Sequence, residues 1–482
     1  MLDPRPVGYV IGLLVAVLGL FMVLPLLVDV AEARGHERVF LNAAALTFCS
    51  GALLALVCMR GLKEGLSIQQ TFMLTTGVWV TLPLFAAIPF MLGATDASFT
   101  DAFFEAMSGM TTTGATVLTG LDDMPKGLLL WRGIMQWLGG IGIIVVAMVF
   151  LPELKVGGMQ IFKSEAFDTM GKILPRAGEI ARQISVIYLW LTVACVASYL
   201  AVGMSTFDAT VHALTTVSTG GFSNYDASFA TFSGPAEYVA VIFIILAALP
   251  FVRYVQMING NVTALHRDSQ VRAFVVLLVG LVLVSAFALR KATGAGAEPA
   301  FRQALFNISS IISGTGYASA DYMQWGPFLV ALFFFIGLIG GCAGSTSCSI
   351  KVFRYQLLFA SIRSQLMLIR SPHGIFTPRY DGRTVGQDVL NSVMSFFVFF
   401  VVVMGLVAVG LGLTGLDFVT SVSGAAAALA NIGPGLGDII GPAGNYASLN
   451  DTAKWILSIA MLIGRLELMA VFVILTVNFW RG

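Results

Sequence analysis

Four short turns carry the residues best suited to chemistry: TTTGAT at 111–116, STGGFS at 218–223, GTGYAS at 314–319 and NIGPGL at 431–436. Each holds a glycine behind two further positions: Thr112-Thr113-Gly114, Ser218-Thr219-Gly220, Gly314-Thr315-Gly316 and Asn431-Ile432-Gly433. In this alignment only the glycine is common to all four. Glycine reaches φ > 0 without steric penalty, so consecutive carbonyls can point to one axis. Rings of carbonyl oxygens replace the hydration shell of a permeating cation. The chemistry on offer is therefore coordination by backbone oxygen rather than bond making.

The elements that must position these turns are legible in hydropathy. Each turn follows a segment too short to span a bilayer: 101–111, 207–217, 301–312 and 417–430. Apolar stretches of this length are re-entrant or buried more often than spanning. Non-helical backbone at membrane depth is tolerated only where protein buries it or where it lines a wet cavity. Four such turns imply a shared cavity, with the C-terminal end of each half-span, equivalent to about −0.5 charge, aimed at its centre. The flanking spans are expected at 72–92 and 128–151, 183–203 and 235–256, 272–292 and 327–362, and 388–412 and 452–479. A leading pair is expected at 8–28 and 40–59.

This predicts an all-α polytopic membrane protein in which four pseudo-repeated units of span, pore helix, turn and span surround one pore. The predicted divisions are a leading pair at 1–66 and repeats at 67–178, 179–268, 269–383 and 384–482. Composition agrees: 57% of the 482 residues are hydrophobic and 11% charged, against about 25% charged in soluble domains. A net charge of +1 offers nothing to nucleic acid. The stretch 8–28 lacks a small-residue cleavage site before Asp29 and reads as a retained span. Cys49, Cys58, Cys195, Cys342 and Cys348 fit no zinc or disulfide spacing and read as packing residues.

Most of the 27 Lys and Arg fall on one side when the N-terminus is placed in the cytoplasm. Two basic segments stand out: 153–182, with Lys155, Lys163, Lys172, Arg176 and Arg182, and 351–383, with Lys351, Arg354, Arg363, Arg370, Arg379 and Arg383. Acids gather at the outer mouth, among them Asp96, Asp101, Glu105, Asp122, Asp123, Asp208, Asp226, Asp321 and Asp417, where they would concentrate cations. For Glu105, Asp208, His212 and Lys454, beside the pore helices, tying loops in place is the favoured role. No nucleophile, acid and base set emerges, so no enzyme is expected and no cofactor is called for.

Two features interrupt the spans. Gly340-Gly341-Cys342-Ala343-Gly344-Ser345-Thr346-Ser347 breaks the second span of repeat three; it is either a loop or a helix kink, and it lacks the lysine of a phosphate loop. Arg465 lies in the last span two residues before Glu467, and an intramembrane charge is a functional hypothesis by default. Hydroxyls of Ser345, Thr346 and Ser347, Glu467 or a carbonyl are its expected partners.

Together FFEAMSGMTTTGAT (103–116), WLGGIGIIV (137–145), KILPR (172–176), TTVSTGGFSNYD (215–226), NIGPG (431–435) and GRLE (464–467) resemble the TrkH/KtrB/HKT superfamily of potassium transporters. The resemblance covers essentially the whole chain, and the leading pair is more like TrkH than KtrB. It implies a channel-like monomer of the bacterial inner membrane, paired as a homodimer and controlled by a cytosolic TrkA-like nucleotide-binding subunit. It implies K⁺ and Rb⁺ over Na⁺, since HKT members that admit Na⁺ carry serine at the position of Gly114. It also implies that 340–347 is an intramembrane gating loop, with Arg465 near the pore beneath the filter. The competing reading is an alternating-access symporter coupled to H⁺ or Na⁺, whose half-helices bind the substrate at mid-membrane.

Overall fold

The computed structural model describes residues 3–33, 35–59, 66–149 and 177–481, and these are almost entirely helical. A hairpin of two-residue strands, Arg379–Tyr380 and Arg383–Thr384, is a small departure from the all-helical expectation. Seven described helices are long and apolar enough to cross a membrane: Arg5–Glu32, Glu37–Cys58, Ile68–Leu92, Lys126–Ile144, Ala181–Ala201, Ser269–Thr293 and Gln387–Leu413. Their outward faces expose large apolar side chains such as Val57, Val276, Phe287 and Leu413. Acyl chains solvate such a surface as well as protein does. The chain is a multi-pass membrane protein.

Four shorter helices, Phe99–Met110, Thr206–Val217, Ala297–Ser313 and Phe418–Ala430, lie between the longer ones and are referred to below as pore helices one to four. Three start on side-chain caps that satisfy free N–H groups. Ser98 Oγ accepts from Asp101 N, Ser205 Oγ from Asp208 N, and the Asp417 carboxylate from Thr420 N, each at 3.1 Å. The third starts uncapped at Gly296 with Glu298 in its first turn, earlier than the half-span expected at 301–312.

Continuous closing spans were expected in the first, second and fourth repeats, with a break at 340–347 in the third, and the structure corrects the second and the fourth. In the second, Pro235–Ala248 and Phe251–Ile258 meet at 87°. Pro250 has no N–H to give and pushes Leu249 out of the helical region. In the third, Pro327–Gly337 ends and the chain resumes as helix only at Val352–Arg370. In the fourth, Asp451–Arg465 stops where Glu467 and Leu468 adopt φ of +59° and +52°, before Met469–Ile474 and Val477–Arg481. Hydropathy misses the breaks in the second and fourth repeats because both sides of each are apolar. Lys126–Val149 closes the first repeat unbroken as far as it is described. Residues 150–176 lie outside the described residues, and with them KILPR and four basic residues of the 153–182 segment.

Successive repeats close into a ring. Arg132 of the first repeat donates to Ser223 O of the second at 2.6 Å, and Tyr317 of the third hydrogen-bonds Thr215 of the second. Ser349 N of the third donates to Ala430 O of the fourth at 2.9 Å. Lys454 of the fourth pairs with Asp101 of the first at 2.6 Å, beside a Phe103–Trp455 stack with centroids 4.9 Å apart.

The leading helices pack through glycine. A Cβ at Gly51 would overlap Ala16, and one at Gly12 would press on Ala55, whereas one at Gly280 would meet nothing. Overpacking costs about 1–3 kcal/mol, so Gly51→Leu should lower the thermal unfolding midpoint of detergent-purified protein by several degrees while Gly280→Leu leaves it nearly unchanged. Equal midpoints would show that the leading pair contributes nothing to stability.

Candidate ion pathway

All four pore helices end in the same hydrogen-bonded turn. A residue enters the left-handed region, and the N–H after it reaches back five residues: Thr113 N to Ser108 O, Gly220 N to Thr215 O and Thr315 N to Ser310 O, each at 2.8 Å, and Ile432 N to Ala427 O at 3.0 Å. This is the Schellman helix stop. Its left-handed residue is Thr112 (φ +52°), Thr219 (+50°), Gly314 (+76°) and Asn431 (+50°), and a second positive φ follows two residues later at Gly114, Gly221, Gly316 and Gly433.

That pattern corrects one register. Gly220 was aligned with the other three glycines, but it occupies the place of Thr113, Thr315 and Ile432, and Gly221 is the geometric equivalent of Gly114. The second turn is therefore Thr219-Gly220-Gly221, and Ser218 belongs to the helix end. Two adjacent glycines made the alignment ambiguous, and only φ separates them.

The four turns interlock. A Cβ at Gly114 would overlap the Gly220 carbonyl, one at Gly221 the Thr315 carbonyl, one at Gly316 the Ile432 carbonyl, and one at Gly433 the Thr113 carbonyl. Each glycine thus lies against the carbonyl of the next repeat, and the cycle closes from fourth to first. All four glycines also line one recess of about 180 Å³, with Tyr225, Asp226 and Tyr446 in its wall.

Behind the ring the ionisable residues hold loops. Glu105, fully buried, accepts from Arg132 Nε at 2.8 Å and from Thr116 Oγ1 and Val117 N at 3.0 Å. The Arg132 guanidinium stacks 4.1 Å from the Phe222 ring. Asp208 receives Asn224 Nδ2 at 2.8 Å and Tyr225 Oη at 3.1 Å, and His212 joins Asp208 O to Ser223 Oγ. Glu105 and Asp208 therefore do not face the entrance; Asp226 does, while accepting from Gly120 N and Leu121 N. Among the described residues no group of three or more His, Cys, Asp and Glu could hold a metal ion.

The glycine-rich break is a loop docked against the ends of pore helices three and four and the second repeat's broken helix. Cys342 N and Thr346 Oγ1 donate to Ala248 O and Ala247 O at 3.0 Å, carbonyls left free where the second repeat's helix stops. Ser347 Oγ donates to Ser313 O at 2.6 Å, and Ser349 N caps Ala430 O. The loop thus engages the C-terminal ends of pore helices three and four.

The hydroxyls expected to meet Arg465 are committed elsewhere. Ser345 Oγ bonds Cys342 O, and Thr346 and Ser347 bond the carbonyls named above. Arg465, 4% exposed, donates to Cys348 Sγ at 3.0 Å and Gly139 O at 3.1 Å, with Trp79 beside it. Glu467 is instead paired with Arg354, itself stacked 3.8 Å from Phe396. Cys348 is thus more than packing: its Sγ lies between Arg465 and Thr112 Oγ1, 3.5 Å away. Lys351, bonded to Ser347 O, and Arg354 are buried and leave the basic surface of 351–383 to Arg363, Arg370, Arg379 and Arg383. Sequence reading overlooked Arg132 and Gln136, though a charge inside the apolar run 128–151 was the same signal that singled out Arg465.

The sequence profile of the TrkH family, described as cation transport protein, matches residues 36–479. The chain is 44% identical to the Trk system potassium uptake protein TrkI of Halomonas elongata, over 99% of this chain and 97% of that one. It is 34% identical to the Trk system potassium uptake protein TrkH of Escherichia coli K12, over 99% of both. The crystal structure of the potassium transporter TrkH from Vibrio parahaemolyticus superposes with a TM-score of 0.91 at 34% identity, covering 100% of both chains. With a profile spanning nearly its whole length and relatives of matching extent, the chain belongs to the TrkH family of cation transport proteins.

Proposed function

We propose that this chain takes up K⁺ across the bacterial cytoplasmic membrane through the pore enclosed by its four turns. The observation that carries this reading is the closed cycle in which each turn's glycine lies against the carbonyl of the next repeat. Carbonyls packed edge to edge at the ends of four helix dipoles suit a dehydrated monovalent cation. Relatives named for potassium uptake favour K⁺ as that cation. The coordinating set is Thr112, Thr113 and Gly114; Thr219, Gly220 and Gly221; Gly314, Thr315 and Gly316; and Asn431, Ile432 and Gly433.

In this reading residues 340–347 are the gate, and Arg465 braces it through Cys348 and opposes cations at rest. The chain works as a homodimer in the lipid bilayer with its N-terminus in the cytoplasm. A TrkA-like nucleotide-binding subunit docks on the face bearing Arg363, Arg370, Arg379 and Arg383 and favours the open loop. A free-energy gap of a few kcal/mol leaves the minor state at ~0.1–10%, so differential binding by that subunit is sufficient control.

Rb⁺ uptake into proteoliposomes under an imposed potential tests the reading: uptake should follow the potential alone. Uptake that instead requires an H⁺ or Na⁺ gradient selects the alternating-access symporter. Gly114→Ser should admit more Na⁺ relative to K⁺, because the added side chain pushes on the Gly220 carbonyl, and changes at Gly221, Gly316 or Gly433 should lower selectivity or transport. An unaltered K⁺/Na⁺ flux ratio in all four would sink the filter assignment. Deleting part of 341–347 should raise Rb⁺ flux without the partner subunit, and Arg465→Ala should do so less, with selectivity kept. Wild-type flux from both variants would make the loop a packing feature.

A further inference from the structure

We infer that Gln136 is a positioning residue that sets the ion selectivity of the second turn, an assignment that rests on the filter reading above. The repeats differ in how they brace the residue before the ring glycine. In the first, Thr113 Oγ1 meets Thr111 Oγ1 at 2.7 Å, and in the third, Thr315 Oγ1 meets Ser313 Oγ at 2.7 Å. In the fourth, Asn431 Nδ2 ties the turn to Thr113 Oγ1 at 2.9 Å and to Met461 O at 3.0 Å. In the second, Gly220 stands where the others have threonine or isoleucine, and it has no side chain with which to make a brace.

Gln136 occupies the vacated space. It is fully buried, and a Cβ on Gly220 would overlap its Cδ and Oε1. Its Nε2 donates to Gly220 O at 2.6 Å, and its Oε1 accepts from Phe222 N at 3.0 Å. A carbonyl requires a donor and an N–H an acceptor, so one amide orientation satisfies both. Arg132, one helical turn earlier on the same face, holds Ser223 O. One face of the Lys126–Val149 helix thereby grips residues 220–223.

The consequence falls on the ring itself. Among the carbonyls of Thr113, Gly220, Thr315 and Ile432, Gly220's is the one that accepts a side-chain hydrogen bond among the described residues. A carbonyl oxygen has two lone pairs; Gln136 uses one, which fixes the direction of this oxygen and weakens the field it presents to an ion. Selectivity depends on the number and field strength of such oxygens, so the ring has three like members and one tuned member.

The test is K⁺ and Na⁺ flux in proteoliposomes for Gln136→Leu, which keeps the bulk and removes both bonds, and Gln136→Glu, which keeps an acceptor for Phe222 N but sets oxygen against Gly220 O. Both should lower the K⁺/Na⁺ ratio by about ten-fold, the worth of one such hydrogen bond. Gln136→Leu protein that inserts, loses thermal stability or maximal flux, and keeps the wild-type ratio would overturn the inference, since a purely structural residue behaves that way. Should Gln136→Leu fail to accumulate, Gly220→Ala, whose new methyl displaces the Gln136 amide, decides in the same manner. The ring-glycine variants separate the two levels: a ratio unmoved by Gly114→Ser and by changes at Gly221, Gly316 and Gly433 refutes the filter reading itself, whereas a ratio moved by Gly114→Ser but not by Gln136→Leu refutes only the role of Gln136.

Discussion

Everything in this protein answers to one constraint: four stretches of non-helical backbone sit at membrane depth, where no bulk water can satisfy their carbonyls. The pore helices satisfy what they can by Schellman turns. The carbonyls that remain are pressed against the glycines of the neighbouring repeat, and no side chain fits between them. The left-handed turns at Thr112, Thr219 and Asn431, taken by residues with a Cβ, are retained at some local cost because the ring over-determines them.

A second tier of the structure follows from breaking helices under that ring. Each break frees carbonyls and N–H groups that must find partners. Ala247 and Ala248 give theirs to the glycine-rich loop, the ends of pore helices three and four give theirs to Ser347, Cys348 and Ser349, and Phe251 N is taken by Gly344 O. The loop is therefore held by many short-range bonds to three repeats rather than by apolar packing alone. Such bonds can be exchanged for others at modest net cost, in keeping with the gating role proposed for this loop.

Charge is used inside this membrane protein chiefly as rigging. Glu105 with Arg132 joins successive helices of the first repeat, whereas Glu467 with Arg354 and Asp101 with Lys454 join elements far apart in sequence. A buried pair of this kind contributes little net stability but is costly to break, because one partner is left charged and alone. It thereby fixes geometry more than it raises stability. Arg465 differs in that its hydrogen-bond partners are Cys348 Sγ and Gly139 O rather than a carboxylate.

The sequence by itself determined the medium, the fold class and the presence of four turns behind short helices. Hydropathy depends only on composition over a window, and half-spans followed by small-residue turns mark re-entrant helices wherever they occur, so four turns and most spans were legible. Three things were not. The register of Gly220 and Gly221 rests on φ, which neighbouring glycines do not announce. The breaks at Leu249 and Glu467 lie inside apolar runs, and a window average cannot see them. The partners of Arg465, and the clasp of Gln136 on the second turn, join residues tens or hundreds of positions apart. Such pairings arise only when the ring closes and brings one helix face against another repeat's backbone, and for that reason tertiary structure alone decided them.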